Sequence, residues 1–358
     1  MDEKWRLPLW AAAAAKNMEF AATQRSANPF CRRRHSLLRQ TDSPVSGEFL
    51  FHQTFPRCKY RTFMVEYDIF FWEMNYLTKP VVITADSTCD LSPDLLERFD
   101  IKNIPLTIQL GDETFFDGEG FTPESMYRRY REDGTLPKTA AVSYQQFIDF
   151  FSQFTKAGYQ VVHLDISSEL SCSFSNACLA AEDLGDVFPV DSRMLSSGLA
   201  LLAIEGAECR DKGMGAQEIA EYLSRLTSKV DTSFVLDTLE FMWKGGRCSA
   251  VTSLGANLLK LKPALEMKDG KLGVYKKYRG SIENVYKQYI KERLADKKIR
   301  PGHVFITNSG EIDPEIIQQL SQLVKELIPV QEIHYATAGC TISSHCGPKT
   351  LGVLFINE

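Results

Sequence analysis

Ser167, Ser168, Ser171, Ser173 and Ser175 crowd the stretch ISSELSCSFSNA, between an apolar run ending at Ile166 and a segment of helical character. Hydroxyls so placed serve either as turn and helix-entry groups or as donors to an anion. Similar polar groups follow other apolar runs: Asp86, Ser87 and Thr88; Thr139 and Ser143; Asp191 and Ser192. The second half adds KGGR (244–247), YRG (278–280) and SSHCGP (343–348), which supply Arg247, Arg279 and His345. Two glycines before Arg247 let the backbone turn sharply and bring the guanidinium toward another segment. Two chemistries suit this set. Hydroxyls, arginines and a histidine can hold a carboxylate; alternatively, Ser171 as nucleophile and His345 as base suggest a serine hydrolase on a small acyl ester. The second needs an acid behind the histidine and a nucleophile elbow, and no G-x-S-x-G is present. Cys340 and Cys346 flank His345, but two thiols and one imidazole in a short loop lack a fourth ligand, so no metal site is expected.

The elements that must position these groups are legible from Thr78 onward. KPVVITADS reads as a buried strand, and Ser92 with Pro93, then Thr122 with Pro123, mark helix starts by cap and first-turn proline. NIPLTIQL reads as a second strand, Ser143 with Gln146 as a capping box, YQVVHLDI as a strand, and LSSGLALLAIEGAECR as a long apolar helix. Strands alternating with helices predict an α/β domain with a parallel sheet, its ligands at the carboxyl ends of the strands. After the helix AQEIAEYLSRLTSK the pattern becomes TSFVLDTLEFM, LKPALEMKDGKLGVYKKYRG, HVFITNSG, VQEIHYATAG and LGVLFINE, strand-rich with a hairpin at Asp269–Gly270. A second, mixed α/β domain is expected there. His345 is read as lying in a glycine- and proline-bounded loop.

The 358 residues are enough for two domains, and a net charge of -5 makes nucleic acid an improbable partner, so any basic site must be local. Nine cysteines without a C-x-x-C pair point to reduced thiols in a cytoplasmic protein. Residues 1–77 differ from the rest. They carry an alanine run and the cluster Arg32–Arg34 but no sustained periodicity, and they are expected to be an atypical, poorly ordered leader or a mis-called start, with translation beginning near Met74. No apolar run reaches membrane-spanning length.

The ordered motifs DSTCDL, KTAAVS, ISSELSCSFSNA, DSRMLSSG, LEFMWKGGR, LKPAL, YRG and HCGP resemble the DegV family of fatty-acid-binding proteins over residues 78–358. The resemblance implies a DegV-like α/β domain at 78–228, a second domain at 229–358, and one long-chain fatty acid between them. It implies that Thr139 and Ser171 bind the carboxylate with His345 beside it, and that Arg247 and Arg279 stand near the head group or face a fatty acid kinase. That partner would supply ATP and make the acyl phosphate, so this chain would be a lipid-binding subunit, without a cofactor or catalytic group of its own. Departures fall where the family has glycine at Glu169, Cys172 and Lys349, serine at Ala140 and threonine at Ser173. Glu169 would repel a carboxylate if it pointed inward. Apolar residues of LSSGLALLAIEG and LGANLLKLKPAL are expected to line the acyl tunnel. Burying some sixteen carbons at about 0.8 kcal/mol each gives roughly 12 kcal/mol before association costs, enough for tight binding.

Overall fold

The computed structural model describes residues 79–247, 261–295 and 297–358, all within the compact unit Ile69–Glu358. The expectation for residues 1–77, and the part of LGANLLKLKPAL before residue 261, lie outside the described residues.

In the first half the strands are β1 (Val81–Asp86), β2 (Ile101–Ile104), β3 (Thr107–Leu110), β4 (Glu113–Phe116), β5 (Lys138–Ala140), β6 (Gln160–Asp165) and β7 (Val187–Asp191). The helices are α1 (Pro93–Arg98), α2 (Pro123–Asp133), α3 (Tyr144–Thr155), α4 (Ser173–Leu184), α5 (Ser197–Asp211) and α6 (Ala216–Leu226). Strands β2-β1-β6-β7 form an all-parallel sheet, as the alternation predicts. The Ser92 and Thr122 hydroxyls cap α1 and α2, and the Ser143–Gln146 box caps α3. NIPLTIQL is not one strand. Pro105 has no N–H to continue the ladder, and the Leu106 N–H turns aside to the Ser87 hydroxyl at 3.0 Å. The chain therefore leaves the parallel sheet after β2 and begins a small antiparallel one, β4-β3-β5, whose outer strands escaped the sequence reading.

The second half contributes β8 (Val230–Val235), α7 (Glu240–Gly245), β9 (Lys262–Lys268), β10 (Lys271–Tyr278), α8 (Ile282–Leu294), β11 (His303–Asn308), α9 (Pro314–Leu327), β12 (Glu332–Thr337), α10 (Cys340–Cys346) and β13 (Leu351–Ile356). Its six strands form one mixed sheet, β10-β9-β8-β13-β11-β12, confirming the second α/β domain. The hairpin falls where the sequence places it: Lys268 pairs with Lys271 across Asp269 and Gly270, at φ 51° and 80°.

Helix α5 is apolar on nearly every side because it packs against β1 and β6 of the parallel sheet and β8, β11 and β13 of the mixed one. Polar clasps hold the halves in register. The hairpin tip reaches the first domain, where the Ser167 hydroxyl donates to the Gly270 carbonyl at 2.7 Å and Arg193 donates to the Asp269 carbonyl at 2.5 Å. At Gly270 a Cβ would stand 2.8 Å from the Ser167 oxygen, so both the positive φ and the close contact require glycine. Among the described residues no helix is long and apolar enough to cross a membrane.

Candidate functional site

A cavity of about 340 Å³ opens where the two sheets meet α10, at the carboxyl ends of the parallel strands. Leu106 follows β2, Ile166 and Leu170 follow β6, and Leu195 follows β7; Phe234, Met242, Ile342 and Leu354 close the other side. The size is that of a small-molecule pocket, and the wall is chiefly apolar. Many of its polar residues are already satisfied. Ser196 donates to Asp90, Thr307 bonds Ser197, Ser309 donates to the Gly347 carbonyl, Thr350 donates to the Cys346 carbonyl, and the Ser233 hydroxyl bonds Tyr289.

Thr139, Ser171, His345 and Arg247 line this cavity together. Ser171 is oriented by the entry to α4. The Val142 N–H donates to the Ser173 oxygen at 3.2 Å, the Ser173 N–H donates to the Ser171 oxygen at 3.2 Å, and the two hydroxyls lie 3.0 Å apart. With Ser173 donating in that pair, Ser171 accepts twice and its own hydrogen is left to donate outward. Ser173 is thus fully buried as a helix-entry residue, and the N-terminal end of α4 adds its positive dipole.

Thr139 lies 3.2 Å from His345 Nε2 through its hydroxyl oxygen. His345 Nδ1 is enclosed and has no partner among the described residues. It faces the Cα of Gly245, where a Cβ would come within 2.2 Å of the nitrogen. A buried unpaired N–H costs more than a lone pair set against a C–H group, so the proton belongs on Nε2, donating to Thr139. The Thr139 hydrogen is then free to donate as well. Gly245→Ala is expected to push the imidazole off Thr139 and weaken ligand affinity about 10-fold or more at a stability cost of about 1–3 kcal/mol. Ligand titration and urea melts check this; unchanged affinity would show that the contact has no role.

Burial, reinforced by the positive charge of Arg247, lowers the His345 pKa from 6.5 to about 4. Because the folded pKa lies below the unfolded one, the unfolded chain takes up the proton first as pH falls. The contribution of His345 to stability is therefore intact above pH 6.5 and is lost between 6.5 and about 4, by roughly 3 kcal/mol in all. The stability of His345→Asn is expected to fall less across that window by about this amount. Equal slopes in urea melts of the two proteins would contradict it.

His345 belongs to a helix, α10, not to the loop its neighbours suggest. No local residue caps that helix; the Gly339 N–H donates to Asp90 at 2.7 Å and the Thr341 N–H to Asp117 at 3.3 Å. Both carboxylates come from the first domain and are buried, and desolvation raises both pKa values. The remaining sequence candidates disperse. Arg279 is exposed after β10 and does not line the cavity. Asp86 accepts from Thr88 and Ile166 inside the fold, its pKa raised to about 7 by burial and by Asp165, and Ser168 bonds Asp191. Glu169 points outward to Lys271, 3.4 Å away. Lys349 sits at φ 57°, the left-handed backbone for which the family's glycine is suited.

A two-domain α/β protein with a lipophilic cavity and a hydroxyl cluster at one sheet edge defines the class. The chain belongs to the DegV family: the model described as "Uncharacterised protein, DegV family" matches residues 80–358. A fatty acid-binding protein of Thermotoga maritima is 30% identical over 281 residues, covering 76% of this chain and 96% of its own. Among solved structures, a fatty-acid-binding DegV protein of Thermus thermophilus is 28% identical with a TM-score of 0.70, covering 78% of this chain and all of that one. A stearic acid-binding protein of Eubacterium ventriosum is 26% identical with a TM-score of 0.65, covering 77% and 97%.

Proposed function

We propose that this protein binds one long-chain fatty acid, its carboxylate at Thr139 and Ser171 and its acyl chain in the apolar cavity. The observation that carries this reading is the pair of free hydroxyl donors, on Thr139 and Ser171, in a chiefly apolar cavity most of whose other polar groups are bonded within the fold. Two hydroxyl hydrogens can replace part of the hydration a carboxylate loses, and charge-assisted bonds are the strong ones. Arg247, exposed beside His345, adds positive potential at the same place. His345 acts here through Thr139, as an orienting group. The fatty-acid-binding relatives support the ligand class.

The hydrolase reading is less well supported. Among the described residues no carboxylate stands behind His345, and the bond it makes goes to Thr139, while Ser171 is held by Ser173. A carrier needs no such relay. We assign it a cytoplasmic role presenting the carboxylate to a fatty acid kinase for conversion to acyl phosphate, with Arg247 and Arg279 as exposed cations on the docking side. The test is reconstitution of a fatty acid kinase with ATP, oleate and this protein. Acyl phosphate formed only when the protein is present supports the role; formation at an equal rate without it removes the kinase from the account.

A further inference from the structure

On the side of the molecule formed by α1, α5, β11 and β12, two histidines and two glutamates converge without any part in the cavity. His303 begins β11, and Glu332 and His334 occupy alternate positions of the parallel neighbour β12, so their side chains share one face of the sheet. His303 Nδ1 lies 2.8 Å from His334 Nε2, and the ligand atoms available from His303, Glu332 and His334 all fall within 4.8 Å of one another. Glu208, from α5, lies 3.1 Å from His303 Nε2. A carboxylate receiving the Nε2 proton of His303 fixes the tautomer whose Nδ1 lone pair faces His334, the arrangement that orients metal-bound imidazoles. Arg98 holds both oxygens of Glu332, at 2.5 and 2.9 Å, and so sets the direction of that carboxylate.

We propose that His303, His334 and Glu332 form a binding site for a borderline divalent transition cation, zinc being the best match, with Glu208 orienting His303. Two imidazoles and one carboxylate are a zinc donor set, and they leave a position for water. Zinc–nitrogen bonds of about 2.0–2.1 Å require the two imidazole nitrogens to open only slightly from their present hydrogen bond. The cation takes the place of the proton shared between them, and His334 carries its own on Nδ1. The positive charge of Arg98 opposes a cation and limits affinity, whereas Glu208 and Glu332 favour it. Because Arg98 and Glu208 belong to the first domain and the three ligands to the second, occupancy joins the domains at a point remote from Thr139 and Ser171.

The test uses the full chain, stripped with a chelator and titrated with Zn2+ in competition with a chromophoric indicator, then with Co2+ for its spectrum. The expected result is about one equivalent bound, weak visible d–d bands without a thiolate charge-transfer band, and a raised melting temperature. His303→Gln and His334→Gln lower the affinity at least about 100-fold, and Glu208→Gln about 10- to 100-fold. Circular dichroism confirms folding, and fatty-acid binding is retained in all three. Affinity weaker than about millimolar, affinity unchanged in both histidine variants, or a thiolate band reporting the cysteines would each overturn the proposal.

Discussion

Thr139→Val combined with Ser171→Ala is expected to lower fatty-acid affinity by at least about 100-fold while leaving the fold intact. Hydrogen bonds to a charged group contribute about 1.5–3 kcal/mol each, and removing both leaves the carboxylate facing an enclosed imidazole and a single exposed arginine. Thr139 and Ser171 are half-buried, but each partners a buried group, the His345 Nε2–H and the Ser173 N–H, so urea melts should show a loss of about 1–3 kcal/mol for each group left unpaired, and affinities are compared where the variants remain folded. The single variants separate the two donors. If the hydroxyls act as a pair on one carboxylate, the coupling measured in the double-mutant cycle is appreciable; strict additivity would place them on different parts of the ligand. Titration with oleate is the measurement, and affinity equal to that of the unaltered protein would remove the carboxylate from this end of the cavity.

Filling the cavity should have an effect of similar size but different character. Leu195→Trp places an indole where the chain enters α5, and Ile342→Phe enlarges the wall contributed by α10. Each excludes several methylenes of a long acyl chain at about 0.8 kcal/mol apiece, so affinity for oleate falls on the order of 1,000-fold. An acid of about eight carbons, which needs less of the cavity, retains most of its affinity. A uniform loss across chain lengths would indicate damage to the head-group end, and no loss would mean that the acyl chain lies elsewhere. Two variants on different elements guard against overpacking one of them.

What the sequence made legible was local. VVITAD and HVFITN are strands because their apolar runs are short and bounded by turn residues; Pro93 and Pro123 begin helices because their caps precede them; Asp269–Gly270 turns because both residues tolerate positive φ. Thr139, Ser171, His345 and Arg247, which line one cavity, stood out in the sequence as hydroxyl, imidazole and guanidinium groups in turn-rich segments, and only the family resemblance assigned them to one head group. What stayed hidden was long-range. The helix carrying His345 is capped by Asp90 and Asp117, more than two hundred positions away, so its own neighbours resemble a loop. The cavity wall from β8, β11 and β13 and the His303–His334 pair arise from strand order, which local periodicity does not reveal. Pro105 divided one apparent strand between two sheets because a missing N–H ends a ladder whatever the hydrophobicity around it.

Native mass spectrometry of the purified protein, followed by solvent extraction and identification of what is released, tests the central claim most directly. The account predicts one long-chain fatty acid per chain, lost in the Thr139→Val, Ser171→Ala double variant. A mass equal to that of the bare polypeptide, unchanged after incubation with oleate and with stearate, would contradict it.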